Sequence, residues 1–160
     1  MSFGFLLLAG VLMGIGGTIV MDVWAWLLAR LKVAPFPNWA MPGRWLGNVF
    51  KGSLFHEDIG AVAPVEGELR LGWLLHYGVG ALYGVVFVIL AGSGWLVDPS
   101  FVPVWIFSLI TIAAGWFLLQ PGMGLGWAAS KTPSPWKVRS MGLLAHTVFA
   151  LGMWSVAVAI

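Results

Sequence analysis

The chain has 160 residues, of which 60% are hydrophobic and only 9% are charged, and its mean hydropathy is +0.94. This composition is too apolar for a soluble domain of that length, so we expect an integral membrane protein. The sequence contains no cysteine, which excludes disulfides, thiol redox chemistry and cysteine-ligated metal centres. Its formal net charge is only +2, and no nucleic-acid partner is expected.

Four apolar runs are each long enough to cross the hydrocarbon core of a bilayer, which takes roughly 20 helical residues. They cover approximately residues 3–29, 71–91, 101–120 and 140–160. We therefore predict an all-α fold, an integral membrane four-helix bundle that forms one transmembrane domain over residues 1–160. No Lys or Arg precedes the first run, and the run is longer than the apolar part of a signal peptide, so we interpret it as a retained span.

The long connection between the first two spans, residues 32–70, carries most of the charged side chains. Within it, Pro42 can open a short helix that runs to Phe50. On that helix Trp45 shares an apolar face with Phe50, whereas Arg44 lies on the polar face. This pattern predicts an interfacial helix with Trp45 and Phe50 directed toward lipid or the bundle. The acidic stretch after His56 is interpreted as a solvated turn.

The positive charges are placed on one side of the predicted membrane. All eight Lys and Arg residues fall at or within the first and third connections, and the middle turn and both ends have none. The positive-inside rule then places those two connections in the cytoplasm. We expect a multi-pass membrane protein with both termini on the outer side of the membrane.

Asp22 places a carboxylate inside the first apolar run, where a charge is costly and normally faces the bundle interior. Measured from the flanking cations at about 1.5 Å per residue, Asp22, His76 and His146 all lie roughly 9–12 Å into the membrane. Gln120 can join this layer, and Thr18 lies on the same helix face as Asp22. Arg44 is a candidate cap arginine for the carboxylate. These six residues form the predicted polar site.

Three chemistries are open to such a site. Asp22, His76 and His146 can bind a divalent metal, since carboxylate and imidazole suit iron, zinc or manganese. His76 and His146 can instead be the axial ligands of a b-type haem. The same groups can form a proton relay or a pocket for a small polar ligand. A fourth alternative is a satisfied internal network that only fixes the packing of the helices.

The sequence Gln120-Pro121-Gly122-Met123-Gly124-Leu125-Gly126 interrupts the end of the third span. Proline removes a backbone donor and glycine loosens the chain, so we predict a kink or a break here. Irregular backbone at membrane depth persists only where protein or a wet cavity satisfies its polar groups. We expect one of these to cover the segment.

The functional hypothesis is a small membrane protein that binds a ligand, a metal or a proton at an Asp/His site near the cytoplasmic face. The alternative is an accessory or assembly subunit, whose tryptophans and small-residue faces contact lipid, other membrane subunits or a second copy. No serine elbow or phosphate-binding loop is present, and the sequence assigns no enzymatic reaction.

Four motifs carry a resemblance to a known family. They are Gly-Gly-Thr-x-x-Met-Asp (16–22), Gly-Arg-Trp-x-Gly (43–47), Gly-Trp-x-x-His-Tyr (72–77) and Gln-Pro-x-x-Gly-x-Gly-x-Ala-Ala-Ser-Lys-Thr-Pro-x-Pro (120–135). Over essentially the whole chain, the sequence resembles a family of small bacterial inner-membrane proteins defined as a domain of unknown function. The resemblance implies four spans and supplies no activity, cofactor or site residue.

Overall fold

The computed structural model describes all 160 residues and contains helices but no strands. Four helices are long and apolar enough to cross a membrane, and we refer to them in chain order as the first to fourth spans: Phe3–Arg30, Glu68–Ala91, Phe101–Gly122 and Pro135–Ala159. A short helix, Ser93–Val97, links the second and third spans. The prediction of an all-helical protein with four spans is confirmed.

Two spans begin earlier than the apolar runs indicated. The second begins at Glu68 and the fourth at Pro135, inside the segment that we expected to lie wholly outside the membrane. Proline is well suited to the first helical position, because its missing N–H has no partner there in any helix. The Val138 N–H donates to the Ser134 carbonyl and closes the first turn. A helix can thus extend into water beyond the apolar part of its sequence.

The predicted interfacial helix is present as Ala40–Val49, here called the connecting helix. Trp45 is buried, as expected for a residue facing the bundle, whereas Phe50 is 75% exposed. Arg44 was predicted on the polar face of this helix, and its residue is only 8% exposed. Its guanidinium pairs with Glu68 on the second span. The pattern of residues within one helix cannot indicate a partner on another helix.

The chain groups into two compact units. Unit 1 comprises Met1–Phe36, Tyr77–Thr111 and Leu144–Ile160, and unit 2 comprises Pro37–His76 and Ile112–Leu143. One boundary falls in the first connection, between Phe36 and Pro37, and the other three fall within the second, third and fourth spans. The expectation of one transmembrane domain stays a prediction.

Close contact between the first and second spans organises unit 1. A Cβ on Gly14 would overlap the Gly80 carbonyl, and a Cβ on Gly84 would overlap the Gly10 carbonyl. Small residues at such crossings let two helix backbones approach closely enough for extensive van der Waals contact. Beside this crossing lies the unit 1 core, formed by Met13, Phe87, Val88, Val104, Phe149, Met153 and Ala157.

Unit 2 surrounds the interrupted end of the third span. The predicted interruption is confirmed: the helix passes through a π-helical turn at Gly115–Leu119 and ends at Gly122. The His56 and Ile59 N–H groups donate to the carbonyls of Gly122 and Met123. The first connection therefore covers the irregular backbone, as the hydrogen-bonding requirement demands. The unit 2 core is formed by Trp45, Ile59 and Met123.

Two glycines on the second span give a matched test of the packing in unit 1. Gly84→Ala places a methyl group against the backbone of Gly10 and Gly14, whereas a Cβ on Gly78 meets nothing within 4 Å. We expect Gly84→Ala to lower the free energy of unfolding by about 1–3 kcal/mol through overpacking. Gly78→Ala should be neutral or stabilise by up to about 1 kcal/mol. Unfolding in mixed micelles, followed by tryptophan fluorescence, measures both, and equal losses would contradict the crossing.

Candidate functional site

The carboxylate of Asp22 is held by a tyrosine of the second span. Tyr77 Oη donates a hydrogen bond of 2.8 Å to Asp22 Oδ2, and both side chains are half-buried. This contact belongs to unit 1, on the same pair of spans as the glycine crossing. We expected Asp22 inside the bundle with His76, His146 or a cap arginine within hydrogen-bonding reach. The bond found here is to Tyr77, which was not among the predicted site residues, and contact with the expected partners stays a prediction.

Thr18 supports the same crossing. It is 1% exposed, and its hydroxyl donates to the Gly14 carbonyl at 2.8 Å. A Cβ on Gly80 would overlap the Thr18 hydroxyl, so the second span rests directly on this side chain. A threonine that bonds back to its own helix satisfies its donor locally. Thr18 therefore packs the helices beside Asp22.

His146 joins the third and fourth spans within unit 1. Its Nδ1 lies 2.7 Å from the Ser108 carbonyl oxygen, and the Ser108 hydroxyl donates at 2.6 Å to the His146 carbonyl. A carbonyl can only accept, so Nδ1 carries the proton in this pair. The Thr111 hydroxyl also donates to the Ser108 carbonyl, at 2.7 Å. The histidine thus takes part in a reciprocal interhelical link, the structural alternative considered for it above.

His76 is buried in unit 2 against an aromatic group from the first connection. Its ring stacks on the indole of Trp39 with centroids 3.8 Å apart and an angle of 24° between the planes. Trp73 lies beside both rings, 5.9 Å from His76 and 5.8 Å from Trp39. Gly72 makes this approach possible, because a Cβ there would overlap the Trp39 carbonyl. Trp39 and Trp73, neither of which was a predicted site residue, therefore define the surroundings of His76.

Gln120 directly follows the π-helical turn in unit 2. Its backbone N–H donates to the Gly115 carbonyl, which is the spacing of a π-helix. Its Oε1 atom is buried and has no hydrogen-bond partner in the protein. The indole Nε1 of Trp39 is also buried and also has no hydrogen-bond partner in the protein. Sequence reasoning found Gln120 from its depth, but nothing in the first connection distinguished Trp39 from an ordinary surface aromatic.

Arg44 has a structural role in unit 2. Its Nε and Nη2 bind the two carboxylate oxygens of Glu68 at 2.8 and 2.9 Å. Its Nη1 reaches the carbonyls of Ile59, Gly60 and Val62 at 3.3, 3.3 and 2.8 Å. The hydrogen bond from Glu68 raises the pKa of the Arg44 guanidinium. Arg44 therefore orders the loop between the connecting helix and the second span.

The three-ligand metal site considered above is not formed. No group of three or more His, Asp or Glu side chains in the structure could hold a metal ion. Asp22 and His146 lie in unit 1 with bonds to Tyr77 and Ser108, and His76 lies in unit 2. Equal depth in the membrane does not fix the direction in which a helix turns its side chains. Haem ligation by His76 and His146 stays a prediction.

Comparison with known proteins gives a family but no activity. Residues 11–160 match the family described as "Protein of unknown function (DUF2938)". The chain belongs to this family. The match confirms the resemblance carried by the four motifs, which all lie within the matched residues. No curated protein and no solved structure shows significant similarity to the chain.

The two tyrosines of the chain give a matched test of the Asp22 bond. Tyr77→Phe removes the 2.8 Å donor to Asp22, whereas Tyr83→Phe removes only a long contact of 3.3 Å to the Thr111 carbonyl. Because a part-buried carboxylate loses a donor, we expect Tyr77→Phe to cost about 1–3 kcal/mol of unfolding free energy and Tyr83→Phe less.

In an Asp22→Leu background, the effect of Tyr77→Phe should shrink, since the acceptor is already gone. Chemical unfolding of the four proteins in the cycle measures the coupling. A Tyr77→Phe penalty that is the same in both backgrounds would show that the hydroxyl does not act through Asp22.

Proposed function

We propose that the chain is a small integral membrane protein that binds a polar ligand or a proton at an intramembrane site near the cytoplasmic face. The observation that supports this most directly is the Asp22 carboxylate, which lies on a membrane-length helix and accepts the Tyr77 hydroxyl. Ionisable residues at membrane depth are expensive and mark ligand pathways and proton relays.

The chemistry of the Asp22 pair favours this function over packing alone. A phenol hydroxyl is neutral, so its bond orients the carboxylate without cancelling the carboxylate's charge. The crossing of the two spans is already secured by Gly14, Gly80 and Gly84, which need no ionisable group between them. The Asp22 carboxylate lies at the end of this crossing, where the hydrogen bond from Tyr77 orients it to bind a ligand or a proton.

Asp22→Asn is the decisive variant, because it keeps the shape and hydrogen bonding of the side chain but removes its charge. We expect the wild type, purified without denaturation, to carry a bound small molecule or to pass protons when reconstituted in vesicles. Asp22→Asn should lose that property and remain folded. Native mass spectrometry detects a bound small molecule, and a pH-sensitive dye inside the vesicles detects the passage of protons.

Asp98→Asn is the matched control, since Asp98 is an exposed carboxylate in the turn that precedes the third span. It should behave like the wild type in both assays. A wild type that carries no small molecule and passes no protons would contradict the proposal. So would an Asp22→Asn protein that behaves like the wild type in both assays.

The proposed location is the bacterial inner membrane, with both termini in the periplasm. This orientation follows from the eight Lys and Arg residues at the first and third connections. Two of them are next to interfacial aromatics, with Arg30 5.2 Å from the ring centre of Trp26 and Arg139 4.9 Å from that of Trp136. Tryptophan is enriched at the level of the lipid headgroups, where such pairs anchor a helix end.

Reporter fusions at the C-terminus test this orientation. Alkaline phosphatase, which folds only in the periplasm, should be active there, and green fluorescent protein exported through the general secretion route should be dark. A fusion inserted near exposed Lys51 in the first connection should give the opposite pattern. A fluorescent C-terminal fusion would refute the proposed orientation.

A further inference from the structure

Two buried polar atoms of opposite type lack a partner in the protein. Trp39 Nε1 can only donate a hydrogen bond, and Gln120 Oε1 can only accept one. Buried polar groups are rarely left without a partner, because each one loses its bonds to water without replacing them. A single molecule that accepts from the first atom and donates to the second can satisfy both.

Both atoms belong to unit 2, and the chain beside each packs on the unit 2 core. Met41, which follows Trp39 closely, contacts this core, and so does Leu119, which directly precedes Gln120. Leu75, next to His76, packs on the same core. The connecting helix, the second span and the third span are thus joined by one apolar cluster, and Trp39 and Gln120 are each close in sequence to a residue that packs on it.

The indole of Trp39 is fixed by stacking and not by its N–H group. Its face lies on the His76 ring, 3.8 Å away, with Trp73 at its side. Its backbone is held against Gly72. Since the Nε1–H group lies on the edge of the indole, the stacked face leaves that donor directed away from His76. The protein has ordered a hydrogen-bond donor without using it.

The acceptor Gln120 is set by an irregular backbone. The π-helical turn Gly115–Leu119 shifts the register of the third span just before this residue. Such turns are rare and frequent at functional sites. Further along the same segment, Ala128 and Ala129 adopt left-handed φ values of 46° and 60°, which are unfavourable for residues with a side chain. An unfavourable backbone beside an unsatisfied acceptor indicates a site maintained for binding.

We infer that Trp39 and Gln120 are the donor and the acceptor of a binding site for a small neutral molecule that carries a hydroxyl group. This inference goes beyond the proposed function, because it concerns a second site that lies within unit 2. A hydroxyl oxygen accepts from an indole N–H while its hydrogen is donated to a side-chain amide oxygen. A ketone or quinone, which only accepts, leaves Gln120 unsatisfied. Both side chains are neutral, so they give the site no preference for a charged ligand.

The hydroxyl can belong to a water-soluble alcohol or to the headgroup of a neutral lipid, and two probes separate these sources. The isotopically labelled protein in nanodiscs is titrated with glycerol, or with dioctanoylglycerol added to the bilayer. The indole N–H resonance of Trp39 is identified by its loss in Trp39→Phe, which keeps an aromatic ring against His76. We expect one probe to shift this resonance in a saturable manner.

The Gln120→Leu variant tests the acceptor. It should weaken binding of that probe about tenfold or more, since the hydroxyl loses its acceptor in a buried site. Without probe, Gln120→Leu should be at least as stable as the wild type, because it removes an unsatisfied atom. If Gln120 instead made a structural hydrogen bond, Gln120→Leu would be less stable than the wild type, and that result would overturn the inference. Trp136→Phe, at a side chain 76% exposed, is the control and should leave probe binding unchanged.

The outcomes separate this inference from the proposed function. A Trp39 resonance insensitive to both probes means that water alone satisfies the pair, and it overturns the inference. If Gln120→Leu leaves probe binding unchanged, the inference fails and the role proposed for Asp22 is unaffected. If Gln120→Leu loses probe binding while Asp22→Asn behaves like the wild type in the ligand and proton assays, the inference stands and the role proposed for Asp22 fails.

Discussion

Hydrocarbon offers no hydrogen-bonding partner, and the protein's internal contacts follow from that constraint. In unit 1 the polar side chains named above are satisfied inside the protein: Tyr77 donates to Asp22, Ser108 exchanges bonds with His146, and Thr18 returns to its own helix. In unit 2 the same constraint acts on the backbone. The end of the third span has no continuous helix to satisfy it, and the first connection supplies N–H groups to the carbonyls of Gly122 and Met123.

The glycine crossing explains why the Asp22 bond forms where it does. Going along the first span, Gly10 faces Gly84, Gly14 faces Gly80, and Asp22 meets Tyr77. The partner number falls as the residue number rises, as it must for two antiparallel helices in continuous contact. Gly10, Gly14, Thr18 and Asp22 recur on the first span at a spacing of four, which places them on one helix face. Close backbone packing therefore brings the carboxylate and the phenol together.

Much of this architecture could be predicted from local sequence. Apolar length gave the four spans, and helical spacing placed Gly14, Thr18 and Asp22 on one face. The expected depth of Asp22, His76 and His146 stays a prediction; depth does not give the rotation of each helix, and the three side chains form no metal site. The glycines at 80 and 84 were the available signal for Tyr77, since it precedes Gly80 by close to one helical turn.

Long-range pairing accounts for two contacts that local sequence did not reveal. The burial of Arg44 was not predicted, because an amphipathic pattern reports only the helix that carries it and the carboxylate partner Glu68 lies on the second span. Trp39 was overlooked because it belongs to a connection that composition marks as polar. Its burial depends on Gly72, where the absence of a side chain lets the Trp39 backbone approach the second span.

The two units differ in how regular their backbone is and in how completely their polar groups are hydrogen-bonded. The contacts described in unit 1 combine regular helices with paired polar groups. Unit 2 contains the π-helical turn, the left-handed Ala128 and Ala129, and the unsatisfied atoms of Trp39 and Gln120. A sequence selected only for stability would favour a straight helix and an apolar side chain at position 120. Departures from local consistency that occur together in one segment are expected at a site that binds, because there the ligand completes the interactions that the chain leaves open.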